Sequence, residues 1–322
     1  MSEAAGRPPR LVADVGGTHT RIALYAPRQD RFVALRSYFN RDFADLESIL
    51  GDWRDHLGDD PPRTACIAIA AALKGDRVRM SNINWSFSLR ELQARLGLTQ
   101  VRWINDLQSN AYALPHLGAA DYQTLHAGKH HAVLRRAVLG PGTGLGGAFV
   151  EQVAGTLHAA ACEPGQMGLS PQTDQEVALF RILLRQHRDI YAELLVSGPG
   201  LWRLYETLAA LRGEALRAQG PQDISRRALE GSDALCQAAL EQFCALLGSV
   251  CGDFVLATGS YGGLFLSGGI VPRIAPFLSS SNFLQRLQDK GTMSGQLAEV
   301  PVHIITTPQP ALVGAAHAPL RA

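Results

Sequence analysis

The chain reads as an α/β protein of two domains, and three observations lead there. It has 322 residues, too many for one ordinary core and suited to two of roughly 150 each. Short apolar runs of strand type alternate with longer segments of helical periodicity. A strand–glycine turn–strand device opens the chain and recurs near its middle, a weak internal repeat visible in pattern more than identity.

The first copy is Leu11 to Asp14, the glycine turn Val15-Gly16-Gly17-Thr18, and a return run Arg21-Ile22-Ala23-Leu24-Tyr25. Ala65 to Ala72 is a continuous run of small and β-branched residues, as expected of a strand covered on both faces. Ser88, followed by Glu91 three residues later, marks a capped helix running to Leu96. Val101-Arg102-Trp103-Ile104 is a strand that stops on Asn105-Asp106. The second copy is Ala137-Val138-Leu139, the turn Gly140 to Gly147, and Ala148-Phe149-Val150. Helical periodicity then covers Gln175–Arg188, Gly200–Arg217 and Ser232–Ala257. Leu264-Phe265-Leu266 leads as a strand into Ser267-Gly268-Gly269, Val302–Ile305 is a late strand, and Ala311–His317 a small-residue helix. No long linker divides the chain, so the expected domain boundary is a hinge near residues 107–112.

Composition narrows the function classes. Hydrophobic residues make up 46% and charged residues 18%, enough apolar material for packed cores, and the net charge of +1 leaves no electrostatic footprint for nucleic acid or an anionic membrane. No stretch approaches the roughly 20 apolar residues of a membrane span, and the N-terminus lacks a signal-like apolar run. Cys66, Cys162, Cys236, Cys244 and Cys251 are odd in number, with no CxxC pair, and read as core thiols of a cytoplasmic protein.

The glycine loops carry the chemistry. Backbone N–H groups can hold a phosphate only where side chains do not block approach. Gly142-Thr143-Gly144-Leu145-Gly146-Gly147 formally matches a dinucleotide fingerprint, but that loop must open a helix, and Ala148-Phe149-Val150 reads as a strand. No glycine-rich loop ends in Lys-Ser/Thr, so there is no P-loop. A single glycine hairpin is more often an ordinary turn. Three loops, with the hydroxyls of Thr18 and Thr143 and the carboxylate of Asp14 beside them, read together as an ATP site in which Asp14 serves Mg²⁺, usually through water.

Asp14-Val15-Gly16-Gly17-Thr18, Gly140-Pro141-Gly142-Thr143-Gly144-Leu145-Gly146 and Leu266-Ser267-Gly268-Gly269-Ile270-Val271-Pro272-Arg273 resemble the two phosphate segments and the adenosine segment of bacterial glucokinases. Ser81-Asn82-Ile83-Asn84-Trp85, Trp103-Ile104-Asn105-Asp106 and Ser197-Gly198-Pro199-Gly200-Leu201 extend the resemblance in the same order, from about residue 11 to 317. It implies two ribonuclease H-like (actin-like ATPase) domains with a cleft between them, residues 1–109 plus about 303–322 forming the small domain and 110–302 the large one. It implies phosphorylation of a hexose, glucose before others, by ATP and Mg²⁺, in the cytoplasm. Members of the family are often dimers, so a homodimer is expected by analogy.

Residue by residue, the resemblance makes Asp106 the base for the sugar's 6-hydroxyl and puts Asn105, Glu163 and Glu193 on the other hydroxyls. Gly16, Gly17, Thr18, Gly142, Thr143, Gly144, Gly268 and Gly269 fall on the nucleotide, and Asp14 on the metal. By itself Asn-Asp is a turn signal, and Glu163 or Glu193 a solvated acid. The sequence departs from the family at the sugar: Gln166 stands where histidine is usual, Pro164 where glycine is, and Ala71-Ala72 where a proline is. Glutamine keeps one donor and one acceptor but cannot titrate near neutral pH. These departures leave the ATP loops and Asp106 intact, and raise the alternative of a weakly catalytic or non-catalytic sugar sensor.

Overall fold

The computed structural model describes residues 8–58, 61–71, 73–80, 83–129 and 135–320. Ser81, Asn82 and Ala72, singled out in the sequence, lie outside these residues. The chain divides into two compact units, Met1–Leu117 with Val153–Ala161 and Pro308–Ala322, and Gly118–Gln152 with Cys162–Thr307.

The first unit is built on a five-stranded mixed sheet. Strands β1 (Arg10–Val15), β2 (His19–Ala26) and β3 (Arg31–Phe39) form an antiparallel meander. Helix α1 (Leu46–Asp55) leads to β4 (Thr64–Ile69), parallel to β1. A small hairpin, β5 (Arg77–Arg79) and β6 (Ser86–Ser88), precedes α2 (Leu89–Arg95). The Ser88 hydroxyl accepts from the Glu91 N–H, the cap expected from the sequence. Strand β7 (Gln100–Asn105) then pairs parallel to β4, and α3 (Asp106–Ala113) follows at once, completing the order β3-β2-β1-β4-β7.

Period-two alternation along β1 sends Leu11, Ala13 and Val15 into the core beneath α1 and α2, and Val12 into a second core on the other face. That second core is covered by α3 and by α12 (Pro310–His317), which contributes Leu312, Ala315 and Ala316. The two helices touch backbone to backbone. A Cβ on Gly314 would lie 1.6 Å from the Ser109 carbonyl oxygen, and the buried Ser109 hydroxyl donates to the Ala311 carbonyl at 2.7 Å. Only glycine permits that approach.

The second unit starts with β8 (Tyr122–His126), β9 (Arg136–Pro141) and β10 (Leu145–Val153), and the chain continues into β11 (Thr156–Cys162). Five helices follow: α4 (Asp174–Leu183), α5 (Ala192–Leu195), α6 (Gly198–Arg212), α7 (Pro221–Glu230) and α8 (Ala234–Thr258). Strand β12 (Leu264–Leu266), helices α9 (Val271–Ser280), α10 (Phe283–Gln288) and α11 (Ser294–Leu297), and β13 (Val302–Ile305) complete it. The hairpin β9–β10 is antiparallel, β12 runs parallel to β9 and β13 to β12, and β8 closes the edge antiparallel to β13. Ala137, Leu139, Leu264, Leu266, Val302 and Ile304 project from one face into a core shared with α4 to α10.

Several sequence expectations need correction. Residues 107–112 are no hinge, because Asn105 caps a helix that runs straight through them. The first unit therefore reaches Leu117, and residues 303–307 belong to the second unit, since β13 pairs with β12. Residues 153–161 join the first unit: Leu157 and Ala159 pack on its core, and the Gln108 side chain donates to the Ala159 carbonyl at 2.7 Å. Helix α8 is, at 25 residues, long and apolar enough to cross a membrane, contrary to the sequence reading. Its most apolar stretch is 83% buried within the unit, as the central helix of a core is. None of the five cysteines, all among the described residues, forms a disulfide, and Cys66, Cys236, Cys244 and Cys251 are buried.

Candidate active site

The residues singled out in the sequence fall into two constellations, one on each unit. In the first unit, β1 ends on Asp14-Val15 and the chain turns through Gly16-Gly17-Thr18 into β2, the Gly16 N–H donating to the His19 carbonyl at 3.0 Å. Asp14 is registered directly opposite Arg21, and their side chains approach to 3.5 Å. Burial pushes the Asp14 carboxyl above its ordinary range, and the Arg21 guanidinium only partly offsets this.

Asp106 is the first residue of α3. Asn105 is its N-cap, the side-chain Oδ1 accepting from the Leu107 N–H at 2.9 Å and the Gln108 N–H at 3.3 Å. Burial raises the Asp106 pKa to about 6, and the charge on Asp14 adds to the rise. Hydrogen bonds from the Leu107 N–H, from its own N–H and from the Asn105 side chain pull the other way. A carboxylate is thus ionised at neutral pH yet a stronger base than an ordinary aspartate. The cap consumes Asn105 Oδ1 and Nδ2 donates to the Asp106 carboxylate, leaving one Nδ2 hydrogen for another acceptor.

In the second unit the turn is tighter than the sequence suggests. Gly140, Gly146 and Gly147 lie within the β9–β10 ladder, Pro141 pairs with Leu145, and Gly142-Thr143-Gly144 alone make the turn. The return segment is a strand, so the dinucleotide reading of this loop falls. The hairpin is held from α5: Glu193 Oε2 accepts the Leu145 N–H at 2.8 Å, and a Cβ on Gly144 would stand 2.5 Å from the same oxygen. The Gly198 N–H at the start of α6 donates to the Gly142 carbonyl at 2.8 Å.

Glu163 and Gln166 bracket a single 3₁₀ turn, Pro164–Gln166, and both are exposed. Pro164 occupies the first position of that turn, where its missing N–H forfeits no bond, and it packs beside Gly147. The chain beyond is tied to α5 by the Ala192 N–H donating to the Met167 carbonyl at 2.8 Å, which sets Glu193 beside Gly165. Gly268, at φ +90°, passes over the hairpin where a Cβ would lie 2.7 Å from the Pro141 carbonyl oxygen, and Ser267 N–H donates to the Leu139 carbonyl at 2.9 Å. So Gly142 to Gly144, Glu163, Gln166, Glu193 and Gly268-Gly269 form one connected patch of the second unit.

Sequence reasoning missed Asn40. It is fully buried, and its side-chain amide and backbone N–H are bonded to the first glycine turn and to Thr20, while its carbonyl accepts from the Phe43 N–H. Nothing in Tyr38-Phe39-Asn40-Arg41 announces burial, and an asparagine there reads as a loop residue. Arg21 was legible as a strand residue only, its pairing with Asp14 depending on the register.

Asp14 sets a carboxylate at the end of β1, beside the first hairpin. Among the described residues no three His, Cys, Asp or Glu side chains cluster to form a protein cage. A single carboxylate fits an ion that takes its other ligands from phosphates and water.

The two units thus hold a half-buried carboxyl at a helix start and two glycine hairpins. A family model described as glucokinase matches residues 11–321. A glucokinase of Saccharophagus degradans is 36% identical over 96% of this chain and 97% of its own. One of Chromobacterium violaceum is 40% identical over 96% and 88%. A crystal structure of a glucokinase from an Antarctic psychrotroph superposes with a TM-score of 0.87 at 35% identity, covering 96% of this chain and 98% of that one. The chain belongs to the glucokinase family, and it is a sugar kinase, a phosphotransferase acting on a hexose.

Proposed function

We propose that the protein transfers a phosphoryl group from ATP, with Mg²⁺, to the 6-hydroxyl of glucose, Asp106 taking the hydroxyl proton. The observation that carries this reading is Asp106 itself: a half-buried carboxyl raised to about 6 on a capped helix start. A general base is most effective when its pKa lies near the working pH. Phosphoryl transfer otherwise asks for positioning and charge neutralisation more than covalent chemistry.

Bound ATP would supply the phosphoryl group, and Mg²⁺, which Asp14 would hold through water, would supply charge neutralisation. The chain's own residues do the rest. Gly16, Gly17 and Thr18 on the first unit and Gly142, Thr143 and Gly144 on the second offer N–H and hydroxyl donors to phosphate oxygens, and Gly268-Gly269 leave room for the adenosine. Asn105 Nδ2 donates to a sugar hydroxyl. Glu163 and Gln166 face solvent on one turn and offer carboxylate and amide to others. Glu193 keeps Oε1 for the sugar while Oε2 holds the phosphate hairpin. Charge-assisted bonds of about 1.5–3 kcal/mol each suffice to read hydroxyl stereochemistry.

The domain pair belongs to the same proposal. In both units an antiparallel glycine hairpin is followed by strands added parallel to its first strand, which supports two ribonuclease H-like domains. A non-catalytic sensor is not favoured, since relatives matched along their length carry the name of the kinase. The test is transfer by the purified protein with Mg²⁺–ATP across glucose, mannose, fructose and N-acetylglucosamine, with calorimetric binding of each sugar in parallel. Glucose is expected to give the highest kcat/KM. Absence of transfer across the panel overturns the reading, and tight sugar binding without turnover restores the sensor.

A further inference from the structure

We infer that Asn40 is a positioning residue for nucleotide use: it sets the direction of the peptide groups in the first glycine turn. The inference rests on that turn serving ATP phosphates, as proposed above. Asn40 begins a 3₁₀ turn directly after β3 and has no exposed surface. Its backbone N–H donates to the Thr18 carbonyl at 2.9 Å, and its Nδ2 donates to the Gly16 carbonyl at 2.7 Å. Its Oδ1 accepts from the Thr20 hydroxyl at 2.8 Å. That third bond fixes the amide, since a flipped carboxamide would set its oxygen against the Gly16 carbonyl.

The consequence follows from peptide geometry. In a planar trans peptide the C=O and the following N–H point in opposite directions. Holding the Gly16 carbonyl towards buried Asn40 turns the Gly17 N–H away from it, and holding the Thr18 carbonyl does the same for the His19 N–H. An anion is attracted by N–H groups and repelled by carbonyl oxygens, so a turn whose carbonyls are gathered on the protein side presents its donors on the other. Asn40 also enters in register: β3 is paired so that Phe39 faces His19 and Tyr38 faces Thr20, and Tyr38 is anchored by its hydroxyl donating to Asp52 at 2.9 Å. The strand end thus delivers one residue to two carbonyls of the turn, its side chain to that of Gly16 and its backbone N–H to that of Thr18.

The experiment compares Asn40→Asp, Thr20→Val and, as a control, Tyr38→Phe, which loosens the same strand without touching the turn. Asn40→Asp keeps the shape but puts a carboxylate against the Gly16 carbonyl. It should raise the KM for ATP about tenfold while the KM for glucose at saturating ATP moves less than twofold. Thr20→Val releases the amide and should raise the ATP KM about threefold. Tyr38→Phe should lower the unfolding midpoint with both KM values unchanged. Equal shifts in the two KM values, or an ATP KM unchanged in folded Asn40→Asp, overturn the inference. Should Asn40→Asp fail to fold, an unchanged ATP KM in Thr20→Val overturns it. Wild-type protein that transfers nothing from ATP removes the proposed function and this inference together, whereas active wild type with unmoved variants removes only this one.

Discussion

The two glycine hairpins are built to one plan and differ in what stands beside them. In each, the second residue pair back from the turn sits at the same place in the ladder. In the first unit that pair is Asp14 and Arg21, and in the second it is Gly140 and Gly146. Each turn is also tied down from outside, the first by the neutral amide of Asn40 and the second by the carboxylate of Glu193. The first unit therefore holds the two carboxylates, Asp14 and Asp106, that the proposed function assigns to metal and proton. The second offers backbone, a hydroxyl and most of the side chains it assigns to the sugar. In that proposal the first unit leans towards reaction and the second towards recognition.

The largest effect that would break this division is at Asp106. Asp106→Asn should lower kcat by about 10²–10⁴, the usual worth of a general base. It should also stabilise the fold. The folded pKa of about 6 lies above the ordinary 3.8, so an ionised Asp106 costs stability above pH 6 and nothing below pH 4. Removing the charge should gain about 1–2 kcal/mol at pH 7, less than the full shift because an acid at a helix start is itself favourable. Thermal unfolding at pH 7 and at pH 4 checks both halves of this, and the gain should vanish at the lower pH.

Next comes the recognition side. Gln166→His should lower the glucose KM about tenfold, equivalent to about 1.4 kcal/mol of recovered binding, with kcat little changed. Steady-state kinetics decide it, and an unchanged KM would mean that Gln166 does not meet the sugar. A smaller effect separates two glycines of one turn. A Cβ on Gly144 meets the Glu193 carboxylate at 2.5 Å, whereas one on Gly142 meets nothing within 4 Å. Gly144→Ala should cost about 1–3 kcal/mol of stability and Gly142→Ala about 0.5 or less, read by denaturant unfolding.

The most delicate prediction returns to the first unit. Activity should fall as pH drops through about 6, where Asp106 takes up a proton. Because the Asp14 charge helps raise that pKa, Asp14→Asn should move the acidic limb of kcat/KM to lower pH, whatever it does to the rate. A limb that stays in place would show that the two carboxylates do not sense each other.

How much of this was legible in the sequence depended on whether the signal was local. The glycine hairpins, the Ser88 cap and the strands at Leu264–Leu266 and Val302–Ile305 carry their own signatures, and they fold as read. Strand β3 does not, because it is an edge strand with mostly exposed residues and no clean alternation. Helix α9 hides behind Pro272 and Pro276, which argue against a helix although the first falls in its opening turn. The expected hinge at 107–112 failed because an Asn-Asp pair signals a turn and a helix cap equally well. At the site, Asp14 and the turn residues could be named from spacing, but Asn40 and the pairing of Arg21 with Asp14 could not. Both depend on which strand residue faces which, a long-range fact that no short window contains.

The contact between α3 and α12 has a consequence for how the protein is made. Helix α12 leaves the ribosome after every other described element, yet it covers the face of α3 that carries Ser109 and Tyr112, and its Gly314 lies on the Ser109 carbonyl. Without residues 310–317, the helix that begins at Asp106 would still rest on β4 and β7 but would lose the cover over Ser109 and Tyr112. The last described helix thus helps to seat the helix that begins at Asp106, far from it along the chain.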